Sequence, residues 1–247
     1  MTEELDPAGR IALVTGANKG IGFEIAKAPS LSSATVLVGA RDADAGEAAA
    51  SAIRAQGGIA EHIRVDLTDV ASIEAAARLI GDRYGRLDIL VNNVGISVEE
   101  RRSQPSETDV GLMRQTYETN VFGNVAMLTR MLSLLHKSDA GRIVNMSTGL
   151  ASFALTAGPD APFANIRLLS YSSSKAALNA ITVMFANELR DSGIKVNAAN
   201  PGLCATDISS GHGRPASEGA QIAVRLALLG PDGPTGGFFG DNGAVPW

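Results

Sequence analysis

The chain is predicted to be α/β, a single doubly wound domain over residues 1–247 with a parallel sheet of about seven strands and helices on both faces. Three observations predict this. Short β-branched apolar runs alternate with stretches of helical periodicity along the whole length, the pattern of βαβ units. The runs are nearly continuously apolar, as strands buried on both faces are. No repeat, low-complexity tract or long linker divides the 247 residues, a length that one large domain can hold.

Taken in order, the first strand is "IALVT" (11–15), which runs into the glycine-rich "TGANKGIG" and a helix over 21–28. The second, "TVLVGA" (35–40), ends in "RD" before a helix over 43–55. The third, "HIRVD" (62–66), closes on Asp66; Thr68 and Asp69 suit capping of the next helix, 70–84. The fourth, "LDILVN" (87–92), precedes "NVG" and a long helix over 110–136. The fifth, "RIVNMS" (142–147), leads through a long connection to a helix over 171–191 that begins "YSSSK". The sixth, "IKVNAAN" (194–200), meets "PG" and then a helix over 218–229; "GGFFG" (236–240) adds a late strand.

Composition narrows the function. With 21 basic and 26 acidic residues the net charge is −5, which argues against a nucleic-acid or anionic-membrane surface. No apolar run reaches bilayer length, and "MTEELDPAGR" lacks the basic start and apolar core of a secretion signal. Cys204 is the single cysteine, so no internal disulfide forms. A cytoplasmic setting is expected. His62, His136 and His212 are scattered without ligand spacing, so no metal site is expected.

In open α/β sheets ligands bind beyond the carboxyl ends of the strands, and the remaining motifs all fall there. Gly16, Gly20 and Gly22 let the backbone turn tightly and let a phosphate approach a helix N-terminus. Tyr171 and Lys175 are four residues apart, on one helical face.

Four motifs in order carry a resemblance to the short-chain dehydrogenase/reductase family. "TGANKGIG" is similar to its T-G-x-x-x-G-x-G loop, and "NNVG" (92–95) to its N-N-A-G, with Val94 in place of alanine. "YSSSK" resembles its Tyr-x-x-x-Lys, and "NPG" (200–202) with Thr206 its Pro-Gly turn. The resemblance spans about residues 10–240 and implies a Rossmann-type sheet and a nicotinamide dinucleotide. It implies cofactor contacts from Gly16, Asn18, Lys19, Gly20, Ile21 and Gly22, from Asp66 and Leu67, and from Asn93 and Gly95. Pro201, Gly202 and Thr206 would hold the nicotinamide end, with Tyr171 and Lys175 beside it. Asp66 would accept from the adenine amino group.

The second strand ends with Ala40 where an NAD-binding acid is expected, followed by Arg41. A guanidinium can pair with a 2′-phosphate and stack on adenine, and Lys19 adds a second cation, so NADP(H) is expected. Asp42 is then expected to turn outward or to orient Arg41. The alternative for Arg41 and Lys19 is a pair of solvated surface cations.

A free phenol ionises near pH 10; an adjacent ammonium opposes burial and favours phenolate. Tyr171 is thus the expected acid/base and Lys175 its tuning partner. By resemblance, the carbonyl oxygen is held by the second hydroxyl of an N-x-S-S ending. Here that ending reads Asn145, Met146, Ser147, Thr148, which assigns Thr148 ahead of Ser147. Asn120 matches the family's asparagine that supports a water leading to the lysine; a helix-bending polar residue is the plain alternative.

The expected activity is NADPH-dependent reduction of a ketone or aldehyde. The alternatives are an alcohol or hydroxysteroid dehydrogenase working oxidatively and a non-catalytic dinucleotide sensor. Phe153, Leu155 and Phe163 in the long connection hint at an apolar substrate, although packing against the next loop explains them equally well. The resemblance favours a homodimer or homotetramer; the small residues Ala176, Ala177, Ala180 and Ala186 on the tyrosine helix suit packing between subunits or on the chain's own sheet, and the long connection over 149–170 resembles that of the family's monomeric carbonyl reductases.

Overall fold

The computed structural model describes residues 4–28, 31–99 and 104–247. Its strands are β1 (Ile11–Thr15), β2 (Thr35–Ala40), β3 (Ile59–Arg64), β4 (Ile89–Asn92), β5 (Arg142–Met146), β6 (Lys195–Ala199), β7 (Phe238–Gly240) and β8 (Gly243–Ala244). They form one sheet in the order β3-β2-β1-β4-β5-β6-β7-β8. All neighbours pair in parallel except β7 and β8. The order reverses between β1 and β4, which opens a crevice beyond their carboxyl ends.

The helices are α1 (Gly20–Ala26), α2 (Ala43–Arg54), α3 (Val70–Tyr84), α4 (Val110–Tyr117), α5 (Asn124–Leu135), α6 (Phe153–Thr156), α7 (Leu169–Glu188) and α8 (Ala216–Ala227). One face of the sheet packs on α1, α2 and α8 through residues such as Ile25, Ile53 and Leu226. The other packs on α3, α5 and α7 through Ile73, Ile80, Met127 and Ala186. With both faces covered, every residue of β1, β4 and β5 is buried. Local chemistry sets the helix ends. Asp42, Asp69 and Asp109 accept backbone N–H bonds at the starts of α2, α3 and α4, and Gly85 closes α3 in the left-handed conformation. The amino edge of the sheet is sealed by buried Asp88, which accepts from Ile11 N at 2.8 Å, Ser138 Oγ at 2.6 Å and Arg86 Nε at 3.0 Å.

Four departures from the sequence reading have physical causes. β3 runs over 59–64 rather than 62–66, because an edge strand extends only as far as its pairing with β2. An eighth strand, two residues long, returns antiparallel after β7; it is too short for any periodicity. The helix expected over 110–136 is divided by a π-helical segment, Glu118–Gly123. The tyrosine helix starts at Leu169, and the connection before it holds a 3-10 turn (Gly149–Ala151) and α6.

Candidate active site

The loop between β1 and α1 is built for close approach. A Cβ at Gly22 would lie 2.4 Å from both Gly16 O and Asn93 Nδ2, so only glycine fits there. Thr15 ties this loop to the end of β4: its Oγ1 accepts from Asn93 N (2.9 Å) and Val94 N (3.2 Å), and its carbonyl accepts from Asn93 Nδ2 (2.9 Å). Asn18 and Ile21 flank the turn, half-buried. The start of α1 has no side-chain cap and no acidic residue in its first turn, so it suits an anion.

The loop after β6 folds against the same turn. A Cβ at Gly20 would lie 3.6 Å from Thr206 Cγ2, and Lys19 forms an ion pair with Asp207. Buried Pro201 offers its carbonyl to Arg214, and Gly202 N donates to Asn200 Oδ1 at 3.1 Å. Asn200 Oδ1 also accepts from Gly149 N at 3.2 Å, joining the loops after β5 and β6.

At the far end, Arg41 is exposed, with no hydrogen bond or ion pair among the described residues, and its charge reaches Asp66. Asp42 turns away to cap α2, accepting from Ala45 N at 2.8 Å. Burial pushes the Asp66 carboxyl up. The N–H and hydroxyl of Thr68, at 2.9 and 2.8 Å, with Arg41 and Arg64, outweigh it and hold the group below the usual carboxylate value. Leu67 is buried over the π-helical segment, where a Cβ at Gly123 would come 2.5 Å from Leu67 O.

The chemistry-bearing residues gather between these ends. Lys175, 3% exposed, donates from Nζ to Met146 O at the end of β5 (2.9 Å), and a Cβ at Gly95 would lie 2.9 Å from that nitrogen. Tyr171, half-buried, stands one turn earlier on α7. Asn120, in the π-helical segment, clasps Ile96 by two bonds: its Oδ1 accepts from Ile96 N (2.8 Å) and its Nδ2 donates to Ile96 O (2.9 Å). The same Nδ2 donates to Ser174 Oγ at 3.0 Å. A π-turn widens the helix by one residue, and such turns recur at functional sites.

The two hydroxyls after β5 differ in their commitments. Ser147 is buried and donates its proton to Asn179 Oδ1 at 2.6 Å. Thr148 Oγ1 accepts from Leu150 N at 3.3 Å and keeps its proton to give.

Burial pushes the Tyr171 phenol up to about 12 and the Lys175 amine down to about 8. Desolvation, which disfavours the charged form, is the cause of both shifts. Among the described residues no group of three or more His, Cys, Asp or Glu could hold a metal, and no helix is long and apolar enough to cross a membrane.

Sequence reasoning missed the partners that seat α7. Asn92 Nδ2 donates to Asn145 Oδ1 (2.9 Å), Asn145 Nδ2 donates to Thr182 Oγ1 (2.9 Å), and Asn179 takes Ser147. Asn179 and Thr182 lie four and seven residues beyond Lys175, on one helical face, and that spacing was the available signal. Glu99 and Asp207 were also missed; nothing in their local sequence marks them.

Fold and site together define a dinucleotide-binding α/β oxidoreductase. The model of the short chain dehydrogenase family matches residues 10–215, and the chain belongs to the short-chain dehydrogenase/reductase family, whose members act on CH–OH and C=O groups. It is 38% identical to the short-chain dehydrogenase anuI of Penicillium roqueforti, over 89% of each chain. It is 32% identical to salutaridine reductase of Papaver somniferum, over 93% of this chain and 94% of that one. The solved structure of that reductase superposes with a TM-score of 0.82 over 94% of this chain and 99% of the other, at 27% identity. A short-chain dehydrogenase from Shigella flexneri, complexed with NADP, gives 0.82 over 95% and 98% at 25% identity.

Proposed function

We propose that the protein is an NADPH-dependent reductase of ketones or aldehydes, with Tyr171 as its acid/base. The observation that carries the reading is the seat of Lys175. Its amine is buried against the ends of both β4 and β5, one turn beyond Tyr171, at the crevice where a dinucleotide belongs. The glycine cradle at Gly16 and Gly22 fits a pyrophosphate, and the free guanidinium of Arg41 fits a 2′-phosphate. Asp66, Leu67, Asn93, Gly95, Pro201, Gly202 and Thr206 line the rest. The salutaridine reductase resemblance and the NADP-complexed relative support the direction and the cofactor.

When bound, the reduced nicotinamide supplies the hydride. Tyr171 gives its phenolic proton to the carbonyl oxygen. Thr148 donates a hydrogen bond to the same oxygen, since Ser147 is already spent on Asn179. Lys175 and Asn120 reload the proton through water. Exposed Phe153 and Leu203 on the flanking loops favour an apolar substrate, whereas Phe163 packs under Gly149. Exposed apolar side chains on α4 (Val110), the π-helical segment (Phe122) and α7 (Met184) suit a homodimer or homotetramer. The expected setting is cytoplasmic.

A panel of carbonyl substrates followed by NADPH absorbance tests the reading, with Tyr171→Phe as control. Turnover is expected to fall by at least a hundredfold in the variant while NADPH still raises its melting temperature. Retained turnover would remove Tyr171 from the mechanism.

A further inference from the structure

The helix that carries Tyr171 begins without a cap of its own. Leu168 precedes it with no side-chain cap bond, and its first turn has no acidic residue. The first N–H groups of a helix have no partner within it, and a buried start needs one from elsewhere. Here it comes from 71 and 72 residues upstream. Glu99 Oε2 accepts from Ser170 N at 3.0 Å, and Glu99 Oε1 accepts from Tyr171 N at 2.7 Å. Both carboxylate oxygens are engaged, and charge-assisted bonds of this kind are stronger than a neutral cap.

The other side of the same residue is also fixed. Ser174 Oγ donates to Tyr171 O at 2.7 Å and accepts from Asn120 Nδ2, the nitrogen that holds Ile96. The segment from Gly95 to Glu99 is thus fastened to α7 at both ends, and the main chain of Tyr171 is held from both sides. That segment follows directly from Asn93 and Gly95, the proposed dinucleotide shelf. We infer that Glu99 is a positioning residue: its carboxylate fixes the first turn of α7 and so fixes Tyr171 relative to Lys175 and the shelf.

The rest of α7 has independent anchors at Lys175, Asn179 and Thr182. Loss of Glu99 should therefore loosen the first turn and leave the fold standing. The inference rests on Tyr171 as the acid/base, and two readouts keep the two claims apart. Amide hydrogen exchange by NMR is compared in wild type, Glu99→Gln, Glu99→Ala and the double variant Glu99→Ala/Leu168→Asp, which supplies a local cap. Steady-state kinetics are measured on the same proteins.

In Glu99→Ala, residues 169–172 are expected to exchange at least tenfold faster with the β-strands unchanged. Its kcat should fall at least tenfold while KM for NADPH stays within twofold. Glu99→Gln, which keeps one acceptor, should fall between, and Leu168→Asp should recover most of the lost kcat. Unchanged exchange overturns the proposal, because a kcat loss would then reflect substrate contact. Faster exchange with unchanged kcat also overturns it, leaving only a cap. A wild type inactive on every carbonyl would defeat the proposed function; exchange alone would then decide whether Glu99 fixes the turn.

Discussion

The amine of Lys175 loses its water when α7 packs on β5 and, among the described residues, gains one hydrogen bond, to Met146 O. Burial lowers its pKa from 10.5 to about 8. Between those values the unfolded chain holds a proton that the folded chain has released, so stability rises with pH across that window. Below about pH 8 the folded protein carries the whole cost of the buried ammonium, on the order of 3 kcal/mol. Lys175→Met should therefore abolish turnover and raise the melting temperature at pH 7 by several degrees, at about 2–4 °C per kcal/mol for a chain of this size. The gain should shrink as pH approaches 10. Tyr171, raised from 10.0 to about 12, gives up its stabilisation only between those values and leaves the comparison below pH 10 undisturbed. Thermal melts of both proteins at pH 7 and 9.5 make the check; coincident curves at pH 7 would mean that the amine is not strained by burial.

Helix α7 is seated by polar contacts where an apolar stripe would be expected. Lys175, Asn179 and Thr182 engage Met146 O, Ser147 and Asn145 in turn, so the helix has one rotational setting. Apolar packing alone would allow small slips, whereas each misplaced buried polar group costs about 1–3 kcal/mol. Thr182→Val leaves Asn145 Nδ2 without its acceptor and should lower stability by about that amount, measured by urea unfolding. Thr182→Ser keeps the hydroxyl and should lose less than half as much. Equal losses would assign the effect to packing of the methyl group. The seating was hidden in the sequence because Asn179 and Thr182 read as ordinary polar residues until β5 is brought beneath them. The π-helical segment was hidden for a related reason. "ETNVFG" continues the apolar periodicity of its neighbours, and only the clasp of Asn120 on Ile96 explains the extra residue.

Across the molecule, what the sequence made legible follows the range of the interactions. Alternating runs and βα turns are local, and the parallel sheet, both helical layers and the glycine loop followed from them. Contacts between distant segments were not legible: Glu99 with α7 and Asp207 with Lys19. Arg41 was legible because its place at the end of β2 is itself a local signal. Among the described residues its guanidinium forms no ion pair, so Arg41→Ala should raise KM for NADPH by roughly tenfold or more and change KM for NADH little. Equal losses for the two cofactors would argue against phosphate recognition.

The close approach of Gly123 to Leu67 leaves no room for a methyl group between the proposed adenine wall and the proposed proton relay. Alanine at 123 would have to push either Asp66 and Leu67 outward or Asn120 inward, and packed interiors do not absorb such a shift locally. Gly123→Ala should therefore raise KM for NADPH and depress kcat in one stroke, although the side chain touches neither substrate nor nucleotide. Kinetics in which only one of the two constants moves would mean that the halves of the cleft adjust independently.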